Sequence, residues 1–106
     1  RVKFQANGII PIADLEDEAD GKEVLIGGVI AQWRVISTKS GSMMVGGKLE
    51  DLTGTVEVVI FSKLYNEIKD GYFPERVTVV KGRIERQDEG VKVLASQLRW
   101  LSNKDS

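Results

Sequence analysis

The stretch KLEDLTGTVEVVIF, Lys48 to Phe61, reads as two β-strands joined by a tight turn. Side chains alternate along a strand, so Leu49, Val56, Val58 and Ile60 fall on one face, and Lys48, Glu50, Thr55 and Glu57 on the other. Asp51 and Thr53 can bond local backbone, and Gly54 is expected to supply the positive φ of a tight hairpin. A hairpin with one apolar and one polar face needs strands before and after it to bury the apolar one.

Upstream, Glu23 to Thr38 reads as a first long strand. Its interior Gly27-Gly28 pair marks a bulge or sharp bend, as expected of a strand that serves both halves of a small closed barrel. Lys39 to Ser42 is a loop, Met43 to Leu52 the second strand and Thr55 to Phe61 the third. The period then changes. Ser62 is expected as an N-cap, Leu64, Tyr65 and Ile68 recur at helical spacing, and Gly71 stops the segment with Pro74 beyond it. That predicts one helix of about two turns. Arg76 to Arg86 returns to strand with Gly82 as another bend, Gln87 to Gly90 is a hairpin loop, and Val91 to Leu101 is a fifth strand with room for a short helical exit.

Three strands, one short helix and two strands predict an all-β, five-stranded Greek-key barrel with its helix between strands three and four. That is the oligonucleotide/oligosaccharide-binding (OB) fold. A plain meander or an SH3-like barrel would not need a helix at that point. The barrel is expected over residues 22–101, behind an acidic lead-in at 1–21 and before a polar tail at 102–106. Asp14, Glu16, Asp17, Glu18 and Asp20 crowd the lead-in, which is expected to pack loosely, with a turn or two of helix between Ala13 and Ala19. Net charge is −1, yet from Lys22 onward thirteen Lys/Arg face eleven Asp/Glu, a balance that permits nucleic acid without demanding it. The chain opens on Arg1, so a longer parent protein is expected.

Catalysis has little to work with. The chain contains neither cysteine nor histidine, which excludes disulfides, thiolate nucleophiles, Ser-His-Asp chemistry and the usual zinc sites within it. Glu50 and Asp51 leave opposite faces of a strand and cannot share an ion, and Asp88 and Glu89 stand alone in a loop. GSMMVGGK, Gly41 to Lys48, fails as a phosphate loop on spacing, on Leu49 after the lysine, and on running into a strand where that motif needs a helix. No catalytic residue, cofactor or metal is expected, and no apolar run approaches the roughly 18 residues that span a bilayer.

Binding is the stronger reading. OB barrels present the outer surface of strands two and three, bordered by the loops between strands one and two and between strands four and five. Single strands are held there by cations along the backbone and flat side chains under the bases. Arg34, Lys39, Lys48, Arg83, Arg86 and Lys92 are the cations expected near that surface, with Thr38 beside them. Trp33 and Arg34 leave opposite faces of the first strand, so at most one lines the groove unless a bulge intervenes. Phe61, Tyr65, Phe73 and Trp100 are expected in the core or under the helix, and Met43 and Met44 at the barrel end. Glu50 and Glu57 on the outer face would repel phosphates.

STKSGSMMVGGKLEDLTGTVEVVIFSKLY, followed by RVTVVKGRIERQDEGVKVLASQLRWL, resembles the OB domain of the bacterial replicative DNA polymerase III alpha subunit. The resemblance spans about residues 23–101 and rests on five features: Gly28; Thr38-Lys39-x-Gly41; Leu49-Glu50-Asp51-Leu52-Thr53-Gly54; Glu57 with Phe61; and Val80-x-Gly82-x-Ile84. It implies a noncatalytic, cytoplasmic module that contacts single-stranded DNA beside the other domains of a polymerase and its replisome subunits, monomeric when isolated. The family's loop basic residues map onto Lys39 and Arg34, while its bulky apolar run after the loop is replaced by Val45-Gly46-Gly47. Two alternatives stay open. One is the anticodon-binding OB domain of class II aminoacyl-tRNA synthetases, which commonly carries glutamine where Glu57 stands. The other is a protein-interaction module using the helix or the acidic lead-in.

Overall fold

The computed structural model describes residues 8–71 and 76–101. Five strands, β1 (Glu23–Ser37), β2 (Met43–Asp51), β3 (Gly54–Ile60), β4 (Val77–Gln87) and β5 (Gly90–Trp100), close into a barrel in the order β1-β2-β3-β5-β4. One short helix, α1 (Ser62–Ile68), lies between β3 and β4. All pairings are antiparallel except β3 with β5. This is the OB architecture that the element order predicts.

β1 belongs to both halves of the barrel: its first half pairs with β4 and its second with β2. Gly28 sits at the handover, where a Cβ would lie 2.1 Å from the Glu50 carbonyl oxygen. Gly82 plays the same part beside the β4–β5 irregularity, its Cβ position 2.5 Å from the Leu94 carbonyl oxygen. Only glycine lets the backbones approach so closely, which is why closure falls at these points.

The hairpin alternates as expected. Leu49, Val56, Val58 and Ile60 are buried with Val24, Ile26, Val45, Val80, Ile84 and Val93, whereas Lys48, Glu50, Thr55 and Glu57 are exposed. Its turn closes by another device than positive φ at Gly54. The carboxylate oxygen Oδ1 of Asp51 accepts the amides of Thr53 and Gly54 and the Thr53 hydroxyl, so the side chain builds the turn and Gly54 keeps an ordinary φ.

The lead-in is not loosely packed. Residues 12–17 form a 3-10 turn that puts Ile12 and Leu15 into the core at one barrel end. Ile10 donates to the Leu25 carbonyl, and Gly21 and Lys22 exchange backbone bonds with Ile84. The acidic composition hid this because the two apolar residues carrying the packing stand three apart among carboxylates.

The helix α1 closes the other end with Leu64 and Ile68. Ser62 is its first residue and not its cap: Phe61 holds the cap position and no side chain caps the helix. Gly71 ends a 3-10 extension, Lys69–Gly71, and lies against Trp100. The ring nitrogen of Trp100 donates to the Ile68 carbonyl at 2.9 Å. β5 runs as strand to Trp100, without a helical exit, and Leu101 continues it by donating to Val77. Phe73 and Pro74 lie outside the described residues. No described helix is long and apolar enough to cross a membrane.

Candidate nucleic-acid interface

The register fixes which side chains share the outer face. One row runs Gln32, Lys48, Glu57, Lys92, Glu85 across β1, β2, β3, β5 and β4. A second runs Arg34, Gly46, Val59, Leu94, Arg83 and rejoins β1 at Glu23. The third begins with Ile36 opposite Met44, and Phe61, one residue past the Val45–Ile60 pair, follows on from β3. The face therefore changes character along its length, from alternating charge at its middle to an apolar strip at the end nearest α1.

The strip has a low floor. Gly46 carries no side chain, and the Ile36 Cδ1 atom lies 3.5 Å from where its Cβ would be. Val59 is buried yet stands outside the core cluster, consistent with its outward position. On the strip Ile36 is 39% exposed and Phe61 51%. Phe61, expected in the core or under the helix, instead faces outward. Strict alternation through Thr55, Glu57 and Val59 carries the outward face to Phe61, a signal present in the sequence and masked by the apolar residues on both sides of it.

Trp33 goes the other way. It points inward and packs at the helix end with Tyr65 and Trp100, ring centroids 6.5 and 5.9 Å away. Its neighbour Arg34 is exposed on the outer face, as alternation requires.

The cations divide into two groups. Arg34, Lys39 and Lys48 stand on the β1–β2 side, Lys39 in a loop closed by Thr38 N–H to the Ser42 carbonyl and Gly41 N–H to Thr38. The Thr38 hydroxyl is bonded to Ser40, 3.1 Å apart. Across β3, Lys92 lies 3.8 Å from Glu85, and Arg83 stands one strand farther round, between Leu94 and Glu23. Arg86 is engaged by the lead-in: its Nη1 donates to the carbonyls of Glu16 and Glu18, and its amide to Asp20. The fold thus puts Arg34 in the row beside the apolar strip, Lys48 one row farther along β2 and Lys39 in the loop that follows the Ile36–Met44 pair, and does not bring Arg86 or Trp33 to this face.

Among the described residues no group of carboxylates is arranged to hold a metal ion. The chemistry available on this face is recognition: guanidinium and ammonium groups for phosphate, a flat half-exposed ring, and the carboxylates of Glu50, Glu57 and Glu85 interspersed among the cations.

Comparison with known proteins agrees with the geometry. A family model described as an OB-fold nucleic acid binding domain matches residues 24–101. The chain is 36% identical over 98 residues to the DNA polymerase III subunit alpha of Aquifex aeolicus, covering 91% of this chain and 8% of that protein. Among solved structures, asparaginyl-tRNA synthetase from Pyrococcus horikoshii shares the fold with a TM-score of 0.70 at 18% identity, over 89% of this chain and 22% of that one. The second OB-fold domain of replication protein A from Methanococcus maripaludis does so with a TM-score of 0.63 at 13% identity, over 84% and 93%.

Proposed function

The chain belongs to the OB-fold nucleic acid binding domain family, and from that premise we propose that it is a noncatalytic module holding single-stranded DNA for a bacterial polymerase of the DNA polymerase III alpha type. The observation that carries the reading is the apolar strip floored by Gly46 and Val59, which ends on half-exposed Phe61 and is bordered by Arg34 and Lys39, with Lys48 one row beyond. A flat ring with cations beside it is what sequence-tolerant single-strand binding uses: bases stack, phosphates pair. The likeness to a polymerase subunit, over 91% of this chain, supports the replicative setting. The chain spans less than a tenth of that relative, and the polymerase activity belongs to the rest of such a parent protein.

A competition titration tests this. Poly-dT and a folded tRNA are titrated against the chain across a series of salt concentrations. Preferential poly-dT binding, with a log–log salt slope of about 0.7 for each phosphate contacted, is the expected result. Preference for tRNA would transfer the module to anticodon recognition, and no binding to either at low salt would leave a protein-interaction module.

A further inference from the structure

The middle of the outer face carries a carboxylate whose setting is unusual for a phosphate-binding surface. Glu57 is exposed on β3, opposite Lys48 on β2 and Lys92 on β5. Neither lysine pairs with it: the ion pairs among the described residues are Lys22 with Glu18 and Lys92 with Glu85. Among those residues the Glu57 side chain makes no hydrogen bond either, so a free acceptor stands between two cations.

We propose that Glu57 reads the base of the nucleotide lying across β3, favouring bases that present an exocyclic amine over thymine. The proposal rests on the single-strand reading of this face. Lys48 and Lys92 stand two strand spacings apart, about 10 Å. A strand whose phosphates sit at these cations crosses β3 between them. A carboxylate there repels a phosphate and has no proton to donate, so it accepts only N–H groups. Cytosine offers an N4 amine and adenine an N6 amine, whereas thymine presents the O4 carbonyl at the equivalent place, and its one donor, N3–H, lies between the O2 and O4 carbonyls, both of which repel a carboxylate. Lys48 offsets the charge of Glu57, Lys92 is shared with Glu85 at 3.8 Å, and the uncommitted carboxylate selects what lies between the phosphates.

The experiment measures binding of fluorescent oligo-dC and oligo-dT of equal length, at one low ionic strength, to the wild-type chain and to Glu57→Gln. The wild type is expected to bind oligo-dC roughly five- to tenfold more tightly. Glutamine both accepts and donates, so in Glu57→Gln the ratio should fall close to one, chiefly through tighter oligo-dT binding, with an unchanged melting temperature. A wild-type ratio near one, or a ratio that survives the substitution, overturns the base-reading role and leaves single-strand binding intact. Absence of binding to both oligonucleotides overturns the single-strand reading itself, and this inference with it.

Discussion

The carboxylate of Asp51 reaches back thirty-nine positions to Ile12: Oδ2 accepts the Ile12 amide at 3.0 Å. The neighbouring Ala13 amide donates to Thr53 Oγ1, also at 3.0 Å. These are the first amides of the 3-10 turn, whose own cap position, Pro11, offers no side-chain acceptor. The β2–β3 turn therefore caps the lead-in across the molecule, and that cap holds Ile12 and Leu15 in the core.

The cap makes stability sensitive to acid. Burial alone would raise the Asp51 pKa, but hydrogen bonds from the Thr53 hydroxyl and the amides of Ile12, Thr53 and Gly54 outweigh it and hold the group below its ordinary value of 3.8. A depressed carboxylate contributes stability that is present above the ordinary value and lost as pH falls through the lower folded one. Thermal melts of the wild type should therefore lose this contribution only below about pH 4. Asp51→Asn should lower the melting temperature at neutral pH by about 5–15 °C, for a loss of about 1–2 kcal/mol, and should show a shallower acid decline. Identical acid profiles for the two proteins would refute the assignment.

Gly28→Ala tests closure of the barrel. A methyl group at this position meets the Glu50 carbonyl at 2.1 Å, and the obstacle is backbone in the paired strand. Overpacking typically costs about 1–3 kcal/mol, and a backbone obstacle that cannot rotate away puts Gly28→Ala at the upper end. Urea unfolding should show the lower midpoint, and a wild-type midpoint would mean that β1 and β2 can separate freely at the handover.

Arg86 and Lys39 should separate stability from binding. Arg86→Ala removes two hydrogen bonds to lead-in carbonyls, so it is expected to lower the melting temperature by several degrees, at about 1 kcal/mol, with little change in affinity for poly-dT. Arg34→Ala and Lys39→Ala should do the reverse, each weakening binding and reducing the salt slope by about 0.7. Loss of affinity in Arg86→Ala at unchanged stability would move the groove to the β4–β5 hairpin.

Phe61→Ala probes the apolar strip. The ring is half exposed, so its removal should cost little stability, whereas stacking is worth about 1–3 kcal/mol per base. Isothermal titration with oligo-dT should show a drop in affinity of roughly fivefold or more. An unaffected affinity would remove the ring from the binding surface.

Read alone, the residues yield the order of elements, the alternation of the hairpin and the close backbone approaches at Gly28 and Gly82, although the register shift of β1 falls between Ile30 and Gln32 and not at the expected Gly27-Gly28 pair. Each rests on local physics: a period of two, glycine where no Cβ fits, and one break to helical spacing after Phe61. The sequence also put Trp33 and Arg34 on opposite faces, but the register shift between Ile30 and Gln32, which reverses the phase of β1, decided that Trp33 points inward with Ile30. Which cations meet, and which are already engaged, depends on contacts between distant segments. Arg86 looks like any exposed hairpin arginine until the lead-in, some seventy residues earlier, is folded against it. Ile12 and Leu15 read as linker until Asp51 caps the turn that carries them. Such pairings depend on barrel register and chain return, which no local pattern encodes.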